Sequence, residues 1–178
     1  MAKLLFSIDS ALLHWLVAHR TPVVDGLMWA FTQIGRAGAV WLALGIGAAA
    51  FRRANVSGVW QMGLALLLTL LVSDGILKPV VHRARPYDVM ADLPVLGERP
   101  GNASFPSGHA ASSFAAALSL SRAWPAARVP LWTLAVFISV SRAYLGVHYP
   151  SDVVGGALVG LACAALVVGG TSWSRRQE

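Results

Sequence analysis

The chain has 178 residues, of which 56% are hydrophobic and only 12% charged, and its mean hydropathy is +0.62. A soluble domain carries roughly 25% charged residues, so a conventional water-soluble fold is excluded and one integral membrane domain is indicated. The formal charge of +6 does not point to nucleic acid, because the arginines sit between apolar runs and never in clusters longer than two. The lone Cys163 excludes an intramolecular disulfide framework and a cysteine-based metal site, and reads as a small packing residue.

In residues 1–20, Lys3, Ser7, Ser10 and His14 recur at helical spacing, leaving Leu4, Leu5, Ile8, Leu12, Trp15 and Leu16 on the remaining surface. This pattern predicts an interfacial amphipathic helix, with a sixth span as the alternative. Asp9 and His14 interrupt the apolar stretch and no small-residue cleavage site follows, which argues against a secretory signal. A spanning helix needs about 20 apolar residues. The region 22–51 is long enough, but it holds Asp25, Gln33 and Gly35-Arg36 and reads as a span preceded by, or bent at, Gly35–Gly38. Segments 55–78, 107–123, 126–142 and 150–172 supply four further spans. The middle two are short, are separated by Ala123-Trp124-Pro125, and read as a helical hairpin. In the last, Gly156 and Gly160 form a small-xxx-small pair suited to close helix packing. The expected fold is an all-α polytopic membrane bundle of five spans, or six, as a single domain over residues 1–178.

Arg52, Arg53, Arg122, Arg128, Arg175 and Arg176 fall at one end of these spans, with Glu178 as the only acid. Positive loops mark the cytoplasmic side, and Trp60, Trp124 and Trp173 lie near the same end as an aromatic belt would. The 79–106 connection and the 143–149 turn are then expected on the external, or periplasmic, face of the cell membrane.

Polar residues gather at that external end. Span 55–78 ends in Lys78, followed by Arg83-Ala84-Arg85-Pro86; span 107–123 begins with Ser107-Gly108-His109; span 126–142 ends in Ser141-Arg142; and His148 and Asp152 introduce the last span. Lys78, Arg85 and Arg142 are cationic donors, and guanidinium forks match phosphate oxygens. The amides of Ser107 and Gly108 open a helix, where unpaired N–H groups favour an anion. A site of this kind suits a phosphoryl group. A neutral imidazole can attack phosphorus while a carboxylate fixes its tautomer, and His148 and Asp152 have the spacing for this. A second imidazole, such as His109, can protonate the leaving oxygen. Spacing alone does not divide the two roles between the rings.

Lys78-x6-Arg85-Pro86, Pro106-Ser107-Gly108-His109 and Ser141-Arg142-x5-His148-x3-Asp152 together resemble the three-part signature of the type 2 phosphatidic acid phosphatase superfamily, in order and with full spacing. The resemblance covers residues 78–152 closely. It implies an all-helical fold and a phosphatase without metal or other cofactor, with His148 as nucleophile, Asp152 as its partner and His109 as general acid. It also implies phosphate binding by Lys78, Arg85, Ser107, Gly108 and Arg142, with a lipid phosphate in the bilayer as substrate. The small size, minimal loops and external site look similar to bacterial undecaprenyl-pyrophosphate phosphatases, making undecaprenyl pyrophosphate the leading expectation and carrier-lipid recycling for the cell wall its role. Phosphatidylglycerol phosphate or phosphatidic acid is the alternative with the same chemistry. A vanadium haloperoxidase is disfavoured because those relatives resemble larger soluble proteins. A non-catalytic lipid-phosphate binder is disfavoured by the pair His109 and His148, since anion binding requires no positioned nucleophile.

Several polar residues fall outside this scheme. Asp74 reads as an i,i+4 partner that orients Lys78, and His82 as an ordinary loop residue. Arg83 and Tyr144 either reach a second phosphate or serve as solvated and packing residues. His14 and His19 read as interfacial, and the tripeptides Asn102-Ala103-Ser104 and Asn55-Val56-Ser57 match a glycosylation pattern that is frequent by chance. Oligomeric state is left open.

Overall fold

The computed structural model describes residues 2–174. Its elements are α1 (Ala2–Ala18), α2 (Pro22–Ile34), a 3-10 turn (Arg36–Gly38), α3 (Ala39–Ala50), α4 (Val56–Leu70), a π-helical stretch (Leu71–Leu77), α5 (Lys78–Val81), α6 (Pro86–Val89), α7 (Gly108–Ala123), a second 3-10 turn (Pro125–Ala127), α8 (Arg128–Tyr144) and α9 (Pro150–Ser174). Among the described residues all regular structure is helical, as the apolar segments and the family resemblance implied. Arg175, Arg176 and Glu178, assigned above to the cytoplasmic end, lie outside the described residues, as does the side chain of Trp173.

Local sequence explains most of the boundaries. The Thr21 hydroxyl caps α2 by accepting from the Val24 amide, with Pro22 in the first turn. Asn55 does the same for α4 through the Gly58 amide at 2.6 Å. The region expected as one span over 22–51 is two helices, broken at Gly38, which sits in the left-handed region at φ 71. Helix α4 continues through the π stretch into α5, so this rod runs to Val81 and not to Lys78.

Helix α7 is the central post. It packs against α4, α8 and α9, and Ala110, Ala111, Ala115, Ala116, Ala117 and Leu120 are wholly buried. A methyl added at Gly156 or Gly160 of α9 would collide with the carbonyls of Ser107 and Ala111, so that pair does permit close contact with α7. Trp41, Met62, Leu120, Leu131 and Ile138 form the main apolar core, and the Trp41 indole donates to Ser113 Oγ at 3.2 Å.

The outer surface is apolar. Leu64, Leu67, Leu70, Leu71 and Ile76 are exposed on the α4 rod, and Val154, Leu158 and Leu166 on α9, a surface that fits hydrocarbon and not water. Among the described residues the stretches Val56–Val89 and Pro150–Gly170 are long and apolar enough to cross a membrane. Helix α1 forms where expected, and Leu4, Leu5, Phe6, Ile8, Leu12 and Trp15 are exposed. Its inner face carries Leu13, packed with Leu93 and Tyr149, and also Asp9, which is only 2% exposed.

Candidate active site

The up-and-down order of α4, α7, α8 and α9 brings the end of the α4–α5 rod, the start of α7, the end of α8 and the start of α9 to one end of the bundle. Lys78 Nζ pairs with Asp74 Oδ1 one turn earlier at 2.5 Å, as the i,i+4 spacing predicted. A Cβ placed on Gly108 would stand 3.7 Å from Asp74 Oδ2 and 3.9 Å from Lys78 Nζ, so the ion pair lies over the first turn of α7.

Arg85 and Arg142 are buried. Arg85 donates to the Asn102 carbonyl at 2.7 Å, the Asn102 side-chain oxygen at 2.6 Å and the Val147 carbonyl at 2.7 Å. These bonds fix its fork beside His148, with Nη1 at 3.3 Å from Nε2. Arg142 Nη1 donates to Thr32 Oγ1, while its Nε is buried with no hydrogen-bond partner. Thr32 of α2 thus holds Arg142, and it lines one cavity together with His109.

His148 lies in the turn between α8 and α9 and is 3% exposed. A guanidinium has no acceptor, so the contact from Arg85 requires a lone pair on Nε2 and places the ring proton on Nδ1. That Nδ1 lies 3.5 Å from Asp152 Oδ2, without a hydrogen bond. Asp152 is anchored on every side: the Ser104 hydroxyl and the Tyr149 amide at 2.9 Å donate to Oδ2, and Arg83 Nη1 to Oδ1 at 2.6 Å. Burial pulls the His148 imidazole down to about 4 from its ordinary 6.5; Asp152 opposes the fall, and Arg85 and Arg142 add to it. The ring is thus a neutral, outward-facing base at neutral pH.

Lys78, Arg85, Gly108, His109, Arg142 and His148 line one cavity of about 520 Å³, together with Asp74 and Asn102. Its far wall is apolar, made by Leu42, Leu66, Leu67 and Leu70 of α3 and α4. A second cavity of about 510 Å³ lies between α2, the 96–100 loop and the end of α8, and shares His109, Arg142 and Pro100 with the first. Its lining includes Trp29, Gln33 and an ion pair between Arg36 and Glu98 at 3.0 Å.

Seven of the eight site residues expected from sequence thus converge: six line the cavity, and Asp152 lies behind His148. Ser107 departs from the expectation. It does not line the cavity, and its amide is already bonded to the Asp152 carbonyl at 3.0 Å, because α9 packs against this helix start. Its hydroxyl is buried without a partner. Two other expectations are corrected on the alternative of a second phosphate. The Tyr144 hydroxyl donates to Asp25 at 2.7 Å, Arg83 bonds Asp9, Ser151 and Asp152, and neither lines the cavity. His82 is an exposed turn residue at φ 47. Sequence reasoning missed Thr32, Asn102, Ser104 and Asp9. Asp9 and Asn102 left a trace, as an acid in an apolar stretch and as part of a glycosylation-like tripeptide; Thr32 left none.

The sequence profile described as "PAP2 superfamily" matches residues 58–176. The chain is similar to the lipid A 4'-phosphatase of Bacteroides thetaiotaomicron, with 34% identity over 177 residues covering 90% of this chain and 75% of that one. It is also similar to the undecaprenyl-diphosphatase of Sulfolobus acidocaldarius, with 30% identity over 149 residues covering 80% and 68%. Among solved structures, Aquifex aeolicus LpxE superposes with a TM-score of 0.80 at 29% identity, covering 91% of this chain and 95% of that one.

Proposed function

The chain belongs to the PAP2 superfamily, a family of lipid phosphatases, and on that premise we propose that it hydrolyses a membrane lipid phosphate through a phosphohistidine on His148. The observation that carries this reading is the cavity itself, where three cations and two imidazoles face an apolar wall. Lys78, Arg85 and Arg142 hold the non-bridging oxygens, and the start of α7 at Gly108 faces the same anion. His148 Nε2 attacks phosphorus, and the bond from phosphorus to the leaving oxygen breaks as the new N–P bond forms. Asp152 balances the charge that the ring acquires, and His109 gives the leaving oxygen its proton. Water, deprotonated by His109, then attacks phosphorus and frees His148 and inorganic phosphate.

The leading substrate is a polyprenyl diphosphate, undecaprenyl diphosphate going to the monophosphate. The apolar wall supports it, since a long chain can lie along Leu42, Leu66 and Leu67 with its diphosphate among the cations. A second reading, a phosphatidylglycerophosphate or phosphatidic acid, draws on the second cavity. The Arg36–Glu98 pair there is charge-balanced, which suits a glycerol group better than another phosphate. In the orientation supported by Arg52, Arg53, Arg122 and Arg128 at the other end of the bundle, the site faces the external or periplasmic side.

The test is phosphate release by the purified protein in detergent with a chelator present, undecaprenyl diphosphate and phosphatidylglycerophosphate being compared side by side. A preference for the first supports carrier-lipid recycling, and a preference for the second moves the enzyme to glycerolipids. Binding of both without release from either would leave a non-catalytic lipid-phosphate binder.

A further inference from the structure

The residue behind the nucleophile is not a lone carboxylate. Asp9 of α1, Arg83 of the 82–85 turn and Asp152 of α9 form a continuous chain, with Arg83 Nη2 at 2.7 Å from Asp9 Oδ2 and Nη1 at 2.6 Å from Asp152 Oδ1. Ser151 closes it: its amide donates to Asp9 Oδ1 at 2.9 Å, its hydroxyl donates to Asp9 Oδ2, and its Oγ also receives Arg83 at 2.7 Å. The Arg83 guanidinium lies over the Tyr149 ring at 4.0 Å from its centroid. Asp9 and Asp152 are 2% and 0% exposed. A buried acid is costly unless paired, and most of the large apolar side chains of α1 face outward, so the inner position of Asp9 requires a reason.

We propose that Asp9 and Arg83 are positioning residues for the His148 nucleophile, with Asp9 setting the net charge that Asp152 presents to the ring. The proposal rests on the reading of His148 as nucleophile. Arg83 holds Oδ1, so that Oδ2 faces Nδ1 of His148. Taken alone, however, Arg83 would cancel the charge of Asp152 just where the phosphorylated ring becomes positive. Asp9 cancels Arg83 in turn, and the trio keeps one net negative charge. The other charged or titratable groups facing His148 are Arg85 from the 82–85 turn, Arg142 from α8 and His109 from α7. Tyr149 faces Arg83. All of these are unchanged in the variants below. Neither Asp9 nor Arg83 lines the substrate cavity, so their influence falls on turnover and not on phosphate affinity.

The experiment uses the full chain in detergent and follows the pH dependence of kcat for wild type, Asp9→Asn, Arg83→Gln, Arg83→Lys and the Asp9→Asn/Arg83→Gln pair on one lipid phosphate. Asp9→Asn leaves Arg83 uncompensated. It is expected to lower kcat about tenfold to a hundredfold, to move the acid limb to lower pH and to leave KM within about twofold. Arg83→Gln leaves two carboxylates near the ring and moves the limb to higher pH. The double variant brings the limb back towards wild type, and Arg83→Lys keeps it in place while lowering kcat. Shifts of the two single variants in the same direction, or no shift with only lost thermal stability, would overturn the proposal. If Asp9→Asn does not fold, the contrast between Arg83→Gln and Arg83→Lys still decides. Undiminished turnover in His148→Ala would instead defeat the underlying reading, whatever these variants do.

Discussion

At His148 the decisive property is the direction of the ring. Nε2 faces Arg85 and the cavity while Nδ1 faces Asp152, so the lone pair that the proposed attack would use is oriented before substrate arrives. Because burial holds this imidazole at about 4, acidification from pH 7 to 5.5 should leave it neutral, although an ordinary histidine would by then be largely protonated. NMR of 15N-histidine protein in micelles checks this, and a protonated pattern for His148 at pH 5.5 would contradict it. His109→Ala should reduce turnover of a lipid phosphate by about 10²- to 10⁴-fold. In the first-turnover burst that phosphorylates His148, the loss should be much smaller on an aryl phosphate, whose leaving group needs no proton; equal losses of that burst on both substrates would remove His109 from the acid role. The residues of this machinery were legible because charge and glycine stand out against apolar spans. Those that hold it were not: Thr32 is a short polar residue of the kind any helix carries, and only folding brings it beside both His109 and Arg142.

At the scale of elements, the contact between α7 and α9 sets the distance between the start of α7 at Gly108 and the His148 turn. Gly160→Val would push a side chain into the Ala111 carbonyl. Overpacking of this kind costs about 1–3 kcal/mol or more, so a lower Tm in detergent and a loss of activity are expected together. Gly47→Ala on α3, where an added methyl meets nothing within 4 Å, should leave both intact or raise Tm slightly. An unchanged Tm in Gly160→Val would show that the two helices are not held this closely. The helices themselves were readable from apolar runs and their polar ends. The break at Gly38 was anticipated only as a bend, since a left-handed glycine and a bent helix share the same sequence. The π stretch at Leu71–Leu77 has no such signal, because an apolar run reads the same in a π-helix as in an α-helix.

The molecule is a post of small residues wrapped by apolar helices, with its candidate site at one end and Arg52, Arg53, Arg122 and Arg128 at the other. Whether that site faces outward is a question of topology, and the protein offers a clean background for it, since its one cysteine, Cys163, is buried. Asp92→Cys in the exposed loop near the site should react with a membrane-impermeant maleimide in intact cells, and Arg53→Cys only after lysis. The reverse pattern would put the site on the cytoplasmic face. The helical fold and the clustering of the candidate site residues were legible together because both follow from where helices end. The ion-pair chain from α1 was not, since Asp9 and its partner Ser151 stand 142 residues apart in sequence and only folding brings them together.

The most direct measurement is capture of the intermediate: the purified protein is mixed with a lipid phosphate carrying 32P in its terminal phosphoryl group and quenched in alkali within the first turnover. Label should appear on the wild-type chain, survive alkali, leave in acid and map to His148, and His148→Ala should take up none and lose phosphate release by at least about 10⁴-fold. Label on another residue, or release that persists in His148→Ala, would contradict the account.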